Sequence, residues 1–163
     1  MHGEYLQLQT RGLIKGKFLA DYGIELSRGL KALKIWMSLK ENGTEKFGRL
    51  IDQNIAQARH LKKLVEKTET LELVAPVPLN IVCFRFNPGS TNEDLLKVVN
   101  TEIMLRIQES GLAIPSDTTV QGKHCLRVAI NNHRTRRDDL HLLLDTVVET
   151  GNAVWSEQSK DER

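Results

Sequence analysis

Arg127 is the residue whose surroundings most clearly require a chemical partner. It lies in the apolar run Cys125–Ile130, which is otherwise suited to burial. A guanidinium stays charged and is costly to bury alone, so we expect a carboxylate beside it. A protein carboxylate would make a structural ion pair, and a ligand carboxylate would make a binding site. The residues alone leave both interpretations open.

Arg28 and Tyr5 are weaker candidates on spacing alone. Arg28 lies one turn before Lys31 and near Glu25, so a surface salt bridge explains it as well as a ligand contact does. Tyr5 lies in a glycine-rich arm. A phenol can donate a proton to a developing charge when a mobile loop carries it to the site, but an isolated tyrosine near a terminus does not by itself indicate that role.

The run His133–Arg137 concentrates positive charge at a predicted helix start. Both the charge and a helix N-terminus attract anions. Asp138 and Asp139 follow at once, and no aromatic residues interleave for base stacking. The whole chain has 23 Lys and Arg against 21 Asp and Glu, a net charge of +2. We therefore interpret the run as a solvated helix start and expect no nucleic-acid partner.

No group of residues has the spacing of a complete catalyst. We find no nucleophile with a base, no metal-ligand cluster and no glycine-rich phosphate loop. Cys83 and Cys125 lie in apolar runs and are expected to be buried, inert thiols. The apolar runs are too short for a membrane span, and no secretion signal is evident, so we expect a cytoplasmic protein.

Hydrophobic spacing predicts the elements that must position these residues. Apolar residues at intervals of three and four predict two helices over residues 26–65, broken near Gly43. Strands are predicted at 71–74 and 81–86, and a helix from Ser90 or Thr91 to Gly111. Extended segments follow at 112–114 and 124–130, with a turn at Gln121 and Gly122 between them. The last helix is predicted to begin at Thr135, because Thr135 and Asp138 have the spacing of a capping box.

This order predicts an α/β or α+β domain with three or four short strands covered by helices. The length of 163 residues suits one ordinary domain. We divide the chain into an arm at 1–25, a domain with its long leading helix at 26–155, and a polar tail at 156–163.

Three stretches of the chain resemble one protein family. Residues 21–36, 79–86 and 122–135 are similar to the C-terminal region of the group II pyridoxal-phosphate-dependent decarboxylases, which act on aromatic amino acids, tyrosine, histidine and glutamate. Their order and separations also agree, and the likeness runs from about Glu4 to about Trp155. The resemblance implies the small C-terminal domain of an aminotransferase-like, fold type I enzyme that uses pyridoxal phosphate.

The resemblance also implies an activity and partners. The expected function is the C-terminal portion of an L-amino-acid decarboxylase, a carboxy-lyase acting on a small-molecule amino acid, with pyridoxal phosphate bound mainly by a large domain that these residues lack. Homodimers are typical of the family, and no metal or membrane is implied. The chain carries no counterpart of the family's cofactor lysine, so we expect it to be inactive alone. The alternative is a non-catalytic interaction module or a degenerate paralogue.

Individual roles follow from the same resemblance. Tyr5 matches the tyrosine of the family's mobile loop, which is thought to protonate the substrate carbon after carbon dioxide leaves. Arg127 matches an arginine that contacts the substrate carboxylate in glutamate-decarboxylase relatives, which suits a bidentate donor. Arg28 matches an arginine near the site, and we expect it to position the substrate.

Overall fold

A computed structural model describes residues 29–161, with side chains described through residue 158. The chain divides into two compact units, Met1–Thr44 and Glu45–Arg163. The described part of the first unit is the beginning of helix α1, Lys31–Lys67. Gly43 interrupts this helix with φ 72° and ψ 158°, a conformation that favours glycine. The predicted break between two helices at this position is therefore confirmed.

The second unit contains the rest of α1 and six further elements. They are β1 at Leu71–Leu73, β2 at Ile81–Phe86, α2 at Glu93–Glu109, β3 at Ser116–Val120, β4 at Lys123–Ala129 and α3 at Arg137–Asp161. The four described strands form one sheet in the order β1-β2-β4-β3, and each neighbouring pair is antiparallel. The predicted sheet of three or four short strands is confirmed, and its antiparallel pairing makes the fold α+β.

One face of the sheet packs on the helices. Val82, Phe84 and Phe86 alternate along β2 and are fully buried, because side chains two residues apart share a face of a strand. The side chain of Asn100 on α2 holds the end of β2. It accepts the backbone N–H of Phe86 at 2.8 Å and donates to the Phe86 carbonyl at 2.9 Å. Gly151 of α3 lies directly against the Phe86 ring.

The structure corrects four predicted boundaries. The third strand is Ser116–Val120 rather than 112–114, because a polar edge strand lacks the apolar run on which the prediction relied. Asn92, not Ser90 or Thr91, is the N-cap of α2. At the start of α3, Asp139 accepts the backbone N–H of Arg136 at 2.8 Å, one residue later than the predicted capping box. Helix α3 continues through Asp161, so residues 156–161 of the predicted tail are helical.

Candidate functional site

The second face of the sheet carries the arginines. In the register of β2 and β4, Cys83 pairs with Arg127 and Phe84 pairs with Leu126. Because Phe84 and Leu126 belong to the core, Cys83 and Arg127 point to the opposite face. Ser116 of the edge strand pairs with Arg127 from the other side. The candidate site thus lies on β4, between β2 and β3.

Arg127 is half-buried rather than enclosed. One of its terminal nitrogens donates a long hydrogen bond, 3.5 Å, to the hydroxyl of Ser116. Within residues 29–158, no carboxylate forms an ion pair with Arg127, so the described residues give no support to the interpretation as a structural ion pair. A guanidinium has five N–H donors, and Ser116 engages a single one of its terminal nitrogens. This arrangement is chemically suited to a ligand carboxylate.

Arg85 is the arginine that is buried, with 2% of its surface exposed. It donates to Glu72 at 2.7 Å and to the two carboxylate oxygens of Glu93 at 2.5 and 3.1 Å. The sequence interpretation missed this ion pair, although Arg85 also lies in an apolar run, Ile81–Phe86. An arginine in an apolar run was the sequence feature that could have predicted this ion pair. The two carboxylates come from β1, before the run, and from α2, after it.

Glu72 joins the same network from β1. Burial alone would raise its pKa, but hydrogen bonds from Lys123, Asn87 and Arg85 outweigh burial and lower the pKa to about 2. The hydrogen bond from Arg85 also lowers the pKa of Glu93. The network joins β1 and β2 to the first residue of β4 and the first turn of α2, so we assign it to holding the sheet face in place.

The two cysteines differ in exposure, and both are free thiols. Cys125 is fully buried, and burial raises its pKa to about 11. Its thiol donates to the Thr118 carbonyl at 3.6 Å. Cys83, opposite Arg127, is half-buried. The predicted burial is therefore confirmed for Cys125 and is wrong for Cys83.

A mainly apolar cavity of about 500 Å³ lies at the end of β4, on the side of the sheet that packs on the helices. The segment predicted as a strand, Leu112–Ile114, forms one wall, and Leu140 and Leu143 of α3 form another. Val128 lines the cavity but its neighbour Arg127 does not. Side chains in the cavity wall include the 88% exposed Ile114. The cavity and the candidate arginine are thus adjacent along β4 without forming one pocket.

Two predicted site residues, Tyr5 and Arg28, lie outside the described residues. The predicted helix-start cations Arg134, Arg136 and Arg137 are exposed. In the described part of the chain, no group of three or more His, Cys, Asp or Glu side chains could hold a metal ion. None of the helices described is both long enough and apolar enough to cross a membrane.

The sheet and its helices match part of the fold of pyridoxal-phosphate decarboxylases of fold type I, which are the structural neighbours of this chain. The model of the pyridoxal-dependent decarboxylase conserved domain matches residues 1–87, which is more than half of the chain. The chain therefore belongs to the pyridoxal-dependent decarboxylase family.

Individual relatives agree with this assignment. The chain is 34% identical over 121 residues to an aromatic-L-amino-acid decarboxylase of Bacillus atrophaeus, covering 74% of this chain and 25% of the relative. It is 32% identical over 127 residues to tyrosine decarboxylase 2 of Arabidopsis thaliana, covering 78% and 23%. The crystal structure of Oryza sativa TDC with PLP and tryptamine matches with a TM-score of 0.71 and 26% identity, covering 83% and 29%. The chain thus spans about a quarter of the length of these curated relatives.

Proposed function

We propose that this chain is the C-terminal portion of a pyridoxal-phosphate-dependent decarboxylase that releases carbon dioxide from an L-amino acid. The observation that carries the proposal is the family match over residues 1–87. The structural similarity to a relative solved with PLP and tryptamine extends that support over 83% of the chain. The relatives' names favour aromatic amino acids as the substrate class to test first.

Arg127 is our proposed substrate-binding residue. Its half-exposed guanidinium, with a single long bond to Ser116, can donate two parallel N–H bonds to a carboxylate. Such a contact would orient the amino acid and pair with the negative charge of its carboxylate. When bound, pyridoxal phosphate supplies an electron sink for the electron pair left on the substrate carbon. We assign no described residue to the cofactor.

Tyr5 and Arg28 keep the roles that the family resemblance gives them. We assign proton delivery to the substrate carbon to Tyr5 and substrate positioning to Arg28. Neither role rests on geometry, because both residues lie outside the described part of the chain. The large cofactor domain and a second subunit are the proposed partners, and the cytoplasm is the proposed location, since the free Cys83 and Cys125 suit a reducing compartment.

Carbon dioxide release tests the function directly. The polypeptide is produced with whatever its reading frame encodes before Met1, supplied with pyridoxal phosphate, and assayed with carboxyl-labelled amino acids. We expect label in the released gas from an aromatic amino acid and absorbance typical of protein-bound pyridoxal phosphate. If no amino acid releases labelled carbon dioxide and no such absorbance appears, the enzyme proposal is wrong and the non-catalytic alternative is favoured.

A further inference from the structure

Helix α1 and the segment leading into α3 meet along a polar seam. Gln53 donates to the His133 carbonyl at 3.1 Å, and Gln57 donates to the Thr135 carbonyl. One turn further along α1, the Nε2 atom of His60 lies 3.3 Å from Nε2 of His141 on α3. The two rings meet edge to face with centroids 5.3 Å apart. Residues 53, 57 and 60 lie on one stripe of α1, since helix positions three and four apart are neighbours.

The same seam gathers positive charge. Lys63 and Lys67 continue the stripe along α1, and Arg137 lies one turn before His141 on α3. Burial first, and then the charges of Arg137, His141, Lys63 and Lys67, lower the pKa of His60. Across the described residues, Lys63, Lys67 and Arg137 form no ion pair with a carboxylate.

Acidic residues lie beside the seam on both helices. On α1, Glu66 lies between Lys63 and Lys67 and forms an ion pair with Lys62 at 3.5 Å. Asp138 and Asp145 lie one turn before and one turn after His141 on α3. No acidic residue contributes to the shift at His60. The field around this imidazole is therefore positive from both helices that pack against it.

Two ligand classes could occupy such a seam, and the charges distinguish them. Imidazole nitrogens are good ligands for transition metals, and two of them face each other here. A divalent cation would, however, be repelled by the side chains of Lys63, Lys67 and Arg137. An anion gains from all three charges, and it gains further when a histidine is protonated.

We propose that the seam formed by His60, Lys63, Lys67, Arg137 and His141 binds a tetrahedral dianion, with the chemistry of a free phosphate or a phosphate monoester. The lysines and the arginine supply charge at any physiological pH. His60 adds charge as pH falls, so binding tightens in acid. This site is distinct from the sheet face that carries Arg127 and does not depend on decarboxylase activity.

Sulfate is the first probe because it remains a dianion across the pH range in which histidine titrates, whereas phosphate changes its own charge. The full chain is titrated with sodium sulfate at constant ionic strength, set with sodium chloride, while NMR follows the imidazole signals of His60 and His141. We expect saturable shifts of both signals and an affinity at least about fivefold higher near pH 5.5 than near pH 7.5.

Variants separate a site from diffuse attraction. Arg137→Gln and Lys63→Gln should each weaken sulfate binding at least about fivefold, whereas Lys97→Gln, the same charge change on α2, should leave it unchanged. His60→Gln should reduce the pH dependence. Circular dichroism checks that each variant is folded.

Several outcomes would overturn the proposal. Shifts that do not saturate, or equal weakening by Arg137→Gln and Lys97→Gln, would show diffuse attraction only. Saturable binding of Zn²⁺ with no response to sulfate would show a metal-binding pair instead. A final arm compares inorganic phosphate with methyl phosphate: tighter binding of methyl phosphate identifies a monoester site, and equal or weaker binding identifies a free-phosphate site.

Discussion

At the scale of single residues, two arginines in similar apolar runs have different surroundings. Arg85 lies between two carboxylates and is buried, whereas Arg127 faces a serine and is half-exposed. The sequence showed that an arginine in such a run needs a partner. It could not show which arginine has one, because Glu72 and Glu93 reach Arg85 only after β1, β2 and α2 have assembled.

Replacing Arg127 tests its proposed role. In the full-length enzyme, Arg127→Lys keeps the charge but loses the planar fork that binds a carboxylate with two bonds. We expect the KM for the amino acid to rise about tenfold to hundredfold, the equivalent of a lost charged hydrogen bond of about 1.5–3 kcal/mol. Steady-state kinetics measure the change.

Folding stability provides the control for this variant. The unfolding free energy should change by less than about 0.5 kcal/mol, because Arg127 makes one long hydrogen bond. Arg49→Lys, at an exposed position of α1, should leave KM unchanged. A KM for Arg127→Lys equal to that of the parent would contradict a contact with the substrate carboxylate.

Glu72 makes the unfolding free energy of the domain depend on pH below about 4.5. Its pKa is about 2 in the folded chain against an ordinary value of 4.5. A lowered folded pKa stabilises the fold fully above the ordinary value, and the contribution is lost as pH falls from about 4.5 towards about 2. Because Glu72 is partly open to solvent, we expect a loss on the order of 1–2 kcal/mol. Urea unfolding at a series of pH values measures it.

Glu72→Gln should remove that part of the pH dependence. The variant should be less stable than the parent above about pH 5, because Arg85 and Lys123 each lose a charged partner, and the two should converge towards about pH 2. Glu45→Gln is the matched control, since its carboxylate is 92% exposed and 3.9 Å from Arg49. Parallel stability curves for parent and Glu72→Gln across this range would disprove the assignment.

At the scale of elements, periodicity predicted the sites that bury apolar side chains and failed at the sheet edge. The helices and the strands β2 and β4 follow from apolar spacing. The edge strand Ser116–Val120 is mainly exposed and polar, so its pairing with β4, rather than its own composition, makes it a strand. Leu112–Ile114 resembled a strand because the segment is apolar. In the structure these residues line the cavity instead of pairing in the sheet.

The contact between α3 and β2 makes another prediction. A methyl group added at Gly151 would lie 2.4 Å from the Phe86 ring, so Gly151→Ala forces the ring or the helix to move. Such overpacking costs about 1–3 kcal/mol, which exceeds the roughly 1 kcal/mol gained in helix propensity. We expect a net decrease in the unfolding free energy, measured with urea.

Gly48→Ala is the matched control on α1. A methyl group there meets nothing within 4 Å, so the propensity gain stands alone and the variant should be more stable by up to about 1 kcal/mol. If both substitutions stabilised the protein equally, close packing of α3 on Phe86 would be disproved.

At the scale of the whole molecule, the described core lies in one unit. Its buried apolar members run from Ala58 to Val154, all within the unit Glu45–Arg163. In the other unit, the described residues include six exposed apolar side chains, one just before α1 and five on it: Leu30, Leu33, Ile35, Trp36, Met37 and Leu39. Exposed apolar surface of this kind promotes association. Sequence spacing predicted the apolar stripe on this helix but could not predict whether it was covered.

A chain shortened to residues 45–163 should therefore fold cooperatively. We expect a single unfolding transition with a free energy within about 1 kcal/mol of the parent's, because none of the described core residues is removed. Sedimentation should also show less self-association, because the six exposed apolar side chains are gone. Thermal and urea unfolding followed by circular dichroism measure the first effect. A shortened chain without a cooperative transition would show that residues 1–44 are part of the folding unit, and the boundary at Thr44 would then be wrong as a thermodynamic division.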